Sequence, residues 1–339
     1  MSAAAKDDSN QLFSLTWFER SGLASPTQLL VGSFSSFEQN SLVVLSYDVE
    51  NRTVQQTQRI NHHYAPLALE VAPKLNNGIV ASCSDNVYIW DLRAEPAAGQ
   101  ETIPYALSET AQAASVVPIC ALSWDPVMDG LLVAGQMDST CTIWDVEKRA
   151  QTISFRGGSQ ELLDVQFCPS SRLIGTAAID GALRLIDMRT DPKRPSVTVT
   201  YEHPNLAPVT GLHWYPQDTN LIACSTAAPN ELLLLDIRKP GEVIVSETSE
   251  SAVVDMAWAP QSTLPKTIAE TSEDRRLRIR AFGGSETMYE QGEHLVGEPG
   301  QVAWRPGVNP VVAAVAGSTV TLWDTEAGHG VSCSVNMCT

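Results

Sequence analysis

Three arginines stand two residues after an aspartate at the end of an apolar run: Arg93 in WDLR, Arg189 in IDMR and Arg238 in LDIR. A guanidinium fork suits bidentate binding of a carboxylate. The spacing therefore fits a docking contact for a partner protein, and fits equally an arginine that pairs with a neighbouring repeat's carboxylate or is solvated. Other chemistry is sparse. The six histidines, at 62, 63, 203, 213, 294 and 329, include no H-E-x-x-H pair and no spacing with cysteine that builds a zinc site. His213, inside LHWYP, reads as a strand residue packed or solvated at an edge. No Gly-rich phosphate loop and no G-x-S-x-G elbow is present. Seven cysteines show no C-x-x-C pair and mostly sit in apolar runs, where a reduced thiol acts as a small hydrophobe. These residues predict a protein without catalytic, cofactor or metal site; an enzyme is the alternative from another class.

The elements that carry these residues repeat seven times. A short β-favouring run ends in, or at the place of, a Trp-Asp pair at Asp48, Asp91, Asp145, Asp187, Asp236, Ala281 and Asp324, in steps of 43, 54, 42, 49, 45 and 43 residues. A period of about 40 to 45 residues with that ending is the WD40 signature, one four-stranded sheet per repeat. Seven repeats predict an all-β, seven-bladed WD40 β-propeller that fills residues 1–339 as one domain. Trp90, Asp91, Trp144, Asp145, Asp187, Asp236, Trp323 and Asp324 are then blade residues. Asp138, Asp180, Asp274 and Asp85 precede the Trp position by five or six residues and are expected to pin the turn before that strand. The Gly-His dipeptide that usually completes this network is missing, since the one Gly-His, Gly328-His329, follows the last repeat. The repeats thus read as divergent.

A second repeated element is a strand ending in an aromatic residue and, two residues on at most, a proline: ALSWDP, VQFCP, LHWYP, MAWAP and VAWRP. Proline cannot donate to a ladder, so it marks the strand end. Leu12 to Phe18 reads as the inner strand of the first blade and Val331 to Met337 as the outer edge of the last. Residues 1–10 are expected to be a flexible N-terminus and 94–115 an extended loop between blades two and three, with a shorter excursion at 190–208. Loops entering the inner strands should carry partner contacts. His63, Tyr64, Arg156, Tyr201 and His203 supply the aromatic and arginine character of interface anchors.

A net charge of −17 argues against a nucleic-acid backbone as partner and favours basic protein segments, whose binding should weaken with salt. The same charge would serve solubility alone. No apolar run is long enough to span a bilayer, and the opening MSAAAKDDSN has no signal-peptide core, so cytoplasm and nucleus are the expected locations, with no membrane and a monomer outside complexes.

Several segments resemble one WD40 family, that of plant TRANSPARENT TESTA GLABRA and its animal counterpart, the DDB1- and cullin-4-associated factor that scaffolds DYRK-type kinases. They are LLVGSF followed by LVVLSYD, DSTCTIWDVE, HWYPQDTNLIACS leading to LLLLDIRKP, and VVDMAWAPQS, in register through nearly the whole chain. The resemblance implies a non-catalytic adaptor that gathers a protein kinase or transcription regulators. It also implies an alternative: in cullin-4 ligase receptors the arginine of the WDxR box docks onto DDB1, and Arg93, Arg189 and Arg238 match it, Arg93 with the full Trp-Asp. The sixth repeat departs from the family, with Arg280 and Ala281 in place of Trp-Asp.

Overall fold

In the computed structural model, residues 11–19, 27–35, 39–73, 78–93, 102–107, 117–128, 130–189, 195–260, 266–282, 289–307, 310–325 and 329–335 are described. The expected N-terminal segment 1–10 lies outside them. Seven antiparallel sheets of four strands follow one another, each a meander in sequence order. Blade 1 spans 11–62, blade 2 68–107, blade 3 119–156, blade 4 162–202, blade 5 209–248, blade 6 253–294 and blade 7 299–334. The first strand of each blade touches the first strand of the next, and Gln11–Phe18 touches Pro299–Trp304, so the seven inner strands close a ring around a central channel.

One hydrophobic cluster fills each of the seven boundaries between blades. This is why the middle strands read as unbroken apolar runs: both faces of every blade are covered. Ring closure is of the same kind. Blade 1 takes all its strands from the N-terminal side, and His329–Ser334 forms the outer strand of blade 7. No sheet is shared between the two ends of the chain. Leu12, Trp17 and Val43 instead pack against Val311, Val315 and Leu322, and the Leu12 N–H donates to Gly317 O at 2.6 Å.

Two expected loops contain strands. Within 94–115, Tyr105–Leu107 is the outer strand of blade 2, paired with the strand that ends in Trp90-Asp91. Leu107 is buried in the seam with blade 3, which fixes a strand too short to show in the pattern. Within 190–208, Ser196–Glu202 is the outer strand of blade 4.

The recurring aromatic at the inner-strand end has a cause beyond packing. The indole N–H of Trp17, Trp124, Trp214, Trp258 and Trp304 each donates to an inner-strand carbonyl of the preceding blade: Ala303, Glu70, Gln166, His213 and Ala257, at 2.9–3.4 Å. In blade 4 the residue is Phe167, which has no such donor, and its own N–H is taken by the Ser123 hydroxyl at 3.0 Å. Trp258→Phe keeps most of the buried ring and deletes one of these bonds. It is expected to lower the urea unfolding midpoint by the equivalent of about 1 kcal/mol, and an unchanged midpoint would show that the bond contributes nothing net.

Candidate functional site

The two faces of the ring differ in what they present. Antiparallel order puts the connections from outer strand to next inner strand, with the turns between second and third strands, on one face. The turns between first and second and between third and fourth strands lie on the other.

On the second face the aspartate that ends each third strand organises the turn that follows. Asp48 Oδ1 accepts the N–H groups of Glu50 and Asn51, Asp91 that of Arg93, Asp145 that of Lys148, Asp187 that of Arg189 and Asp236 that of Arg238. Side-chain contacts inside a turn of this kind are typical of aspartate. The three WDxR arginines do not reach a neighbouring blade. Each closes a two-pronged pair with its own aspartate through Nε and Nη2: Arg93 with Asp91 at 2.9 and 2.5 Å, Arg189 with Asp187 at 2.9 and 2.6 Å, Arg238 with Asp236 at 2.8 and 2.6 Å. Their side chains remain 43%, 58% and 60% exposed. The arginine hydrogen bonds hold the three aspartates below the usual carboxylate range. A partner carboxylate would meet a guanidinium already oriented by its own chain, with Nη1 outside the pair. Asp324 instead pairs with Arg52 of blade 1 at 3.3 Å across the closing seam.

On the first face the turn acids are structural, as expected. Asp138 accepts the Thr140 N–H. Asp85 accepts the Tyr88 hydroxyl, Asp180 accepts Arg184 and the Ser159 N–H, and Asp274 accepts Arg278. Arg184 and the Ser159 contacts hold Asp180 well below the usual range against its partial burial.

The missing Gly-His element is corrected by His62, which needs no glycine before it. Its Nδ1 lies 2.5 Å from the Tyr64 carbonyl and its Nε2 2.9 Å from Ser82 Oγ, while the Trp90 indole donates to the same hydroxyl at 2.8 Å. A carbonyl only accepts, so the proton sits on Nδ1 and Nε2 accepts from serine. Burial holds His62 below its ordinary pKa, which keeps it neutral for this relay. His203 does related work between blades 4 and 5: Nδ1 accepts the N–H of Asn205 and Ala207, and Nε2 faces Glu231 at 3.2 Å.

That placement changes the anchor set. His203 and Tyr201 are buried and unavailable to a partner. His63 and Tyr64 are exposed, their rings edge-on at 4.5 Å, and Arg156 is exposed with its guanidinium on Ser139 Oγ. In place of the two buried residues the same face offers Leu206, 58% exposed at the tip of the loop that His203 braces, along with Phe34, Met137 and Val296. Leu206 adopts φ 54°, a left-handed conformation costly for leucine, and no pattern in the sequence marks it.

The inner strands carry ionisable groups into the channel wall. An inner strand has no partner strand on its channel edge, and side chains of the preceding blade take its free N–H groups. Asp164 accepts from Leu212 at 2.9 Å, Asp255 from Val302 at 2.9 Å and Gln301 from Leu15 at 3.1 Å. Gln166 meets His213 Nδ1 at 3.2 Å, and His213 Nε2 faces Asp255 at 3.8 Å. Burial raises Asp164 to about 6, Asp255 to about 7 and Glu70 to about 8, and lowers His213 to about 4. His213 is thus a channel residue rather than one at a blade edge.

Blade 6 departs most. Arg280 pairs across the sheet with Ile268 as Trp90 pairs with Val80, and Glu270 stands where Ser82 stands in blade 2. The Arg280 guanidinium binds the fully buried Glu270 carboxylate and reaches Ser249 Oγ at 3.4 Å and Glu247 at 3.7 Å. A neutral His-Ser-Trp relay is replaced by a buried ion pair.

No family model matches the chain. It is 26% identical to the DDB1- and CUL4-associated factor 7 homolog of Dictyostelium discoideum, over 79% of this chain and 81% of that protein. It is also 26% identical to a WD repeat-containing protein of Saccharomyces cerevisiae, over 53% of this chain and 40% of that one. A third relative, the methylosome protein WDR77 of Xenopus laevis, is 26% identical over 51% of this chain and 50% of its own length. With seven blades built on Trp-Asp turns, the chain belongs to the WD-repeat β-propellers and, among them, is similar to the DDB1- and CUL4-associated factor 7 homolog.

Proposed function

We propose that this propeller is a non-catalytic adaptor that assembles a protein kinase or a transcription-regulatory complex, with one partner on the face that displays Phe34, Tyr64, Met137, Leu206 and Val296. The observation that carries this reading is that large apolar side chains stand exposed on the loops of a closed, fully packed ring, where no element described for the chain covers them. A rigid ring with two loop faces can hold two proteins together and raise their effective concentration without a chemical step.

A second reading has its own support. The three exposed arginine–aspartate forks on the opposite face, and the similarity to a DDB1- and CUL4-associated factor, favour a substrate receptor that docks DDB1 through Arg93, Arg189 and Arg238.

Tagged capture from native cells with mass spectrometry separates the two. Tyr64→Ala with Leu206→Ser changes only exposed side chains and is expected to abolish recovery of the kinase or transcription regulators, while a triple Arg→Glu change at 93, 189 and 238 leaves them. Selective loss of DDB1 and cullin in the triple variant would establish the receptor reading. A recovered set unchanged by the loop variants would overturn the proposed face.

A further inference from the structure

Between blades 3 and 4, on the face that carries the arginine forks, lies a groove of about 250 Å3. Its walls are apolar, from Ile143 and Ile153 of blade 3 and Phe167 and Met188 of blade 4, and two charged side chains, Asp125 and Arg172, also line it. Asp125 is only 2% exposed. Its Oδ1 accepts the N–H groups of Val127 and Met128 at 2.8 and 3.0 Å, which closes the turn, while Oδ2 is buried without any partner. Arg172 Nε is likewise buried and unpaired. Buried polar atoms left unsatisfied cost stability and call for a partner. The groove thus offers one free acceptor, one free donor and an apolar wall between two blades.

We propose that this groove receives a large aliphatic or aromatic side chain from an extended segment of a partner protein, whose backbone N–H and C=O pair with Asp125 Oδ2 and Arg172 Nε. A main-chain amide supplies one donor and one acceptor a residue apart, matching the unpaired set, and the groove is smaller than the ~300–1,000 Å3 of drug-sized sites, so it suits one side chain rather than a cofactor. Its surroundings continue the apolar surface. Val127 and Met128 are exposed on the same turn as Asp125, and exposed Val197 pairs with Ile186, which puts it on the face of blade 4 that meets blade 3. The site is separate from the loop face of the proposed function and rests on that reading only in taking a protein as its occupant.

The test is panning of a phage-displayed dodecapeptide library on the full chain, followed by fluorescence anisotropy of the enriched peptides. Thr152→Trp places an indole at the exposed mouth of the groove, Arg172→Gln removes the free donor, and Arg93→Glu on blade 2 serves as control. Thermal midpoints confirm that each variant is folded. Enriched peptides are expected to share one leucine, methionine, phenylalanine or tryptophan. They should lose affinity about tenfold or more on either groove variant and on alanine replacement of that residue, and keep it on Arg93→Glu. Peptides that bind both groove variants as tightly as the natural chain, or an absence of enriched peptides, would overturn the proposal. Neither result bears on the loop-face variants, which test the adaptor reading separately.

Discussion

Arg280→Ala is expected to destabilise the propeller by about 3–5 kcal/mol, read as a lowered urea midpoint. The cause is the group left behind. Glu270 has no exposure to solvent, and Arg280 supplies its bidentate partner. Arg278 approaches Glu270 only to 4.0 Å and is already committed to Asp274 and Ser272. Removing one member of a buried pair strands the other, whereas replacing both with a matched neutral pair is often neutral or stabilising. Blade 2 shows what that neutral pair is, with Ser82 below the Trp90 indole. The double change Glu270→Ser with Arg280→Trp should therefore recover most of the stability that Arg280→Ala loses. If Arg280→Ala were neutral, Glu270 would have to be protonated and indifferent to the arginine, and the ion-pair account of blade 6 would fail.

The second large effect is a stability that declines with pH between about 6.5 and 8. Burial raises Glu70 to about 8 and Asp255 to about 7, from ordinary values of 4.5 and 3.8. A raised carboxyl favours the folded state while it is protonated, fully so below its unfolded pKa, and that contribution is lost as pH rises through the folded value. His213 works the other way: lowered to about 4 from 6.5, it contributes fully above 6.5 and is lost as pH falls towards 4. Asp91, Asp187 and Asp236 are held low by their arginines, so their contribution is lost only in acid. The window from 6.5 to 8 thus isolates the channel acids. Their edges stay open to channel water, which trims the effect to about 1–2 kcal/mol. Urea midpoints should fall across that window in the natural chain and stay level in Glu70→Gln with Asp255→Asn, since an amide oxygen still accepts the Val302 N–H. A natural chain that gains stability from pH 6.5 to 8 would contradict the burial of these acids.

The number of blades and the place of every third strand are legible in the sequence because Asp48, Asp91, Asp145, Asp187, Asp236 and Asp324 recur at a fixed period. They recur because each stands where a turn begins, and most of them hold that turn's N–H groups. What the period does not reveal is which side chains turn inward. His62 and His203 look alike from outside, each in a polar loop beside an aromatic, yet both are spent bracing a blade boundary while their neighbours His63, Tyr64 and Leu206 stand in solvent. The burial of Tyr201 depends on blade 5, more than a repeat's first strand away in sequence. Tyr105–Leu107 is too short to carry a periodic signal and is a strand because Leu107 fills the seam with blade 3. Arg280 is visible as a departure, but its reason is Glu270, ten residues earlier in an otherwise small, apolar strand. The arginine forks sit between these cases: the pairing chemistry was readable, and the partner proved to be the aspartate two residues before rather than one on another blade.

The central claim is that this ring holds two proteins at once on separate surfaces. Sequential affinity purification tests it most directly, first through a tag on the propeller and then through a tag on a partner recovered in the first step. The account predicts that the second eluate contains a further protein together with the propeller, and that Tyr64→Ala with Leu206→Ser removes one of the two partners while the other remains. If every second eluate held the propeller and a single partner, with the proteins displacing one another, simultaneous docking would be contradicted.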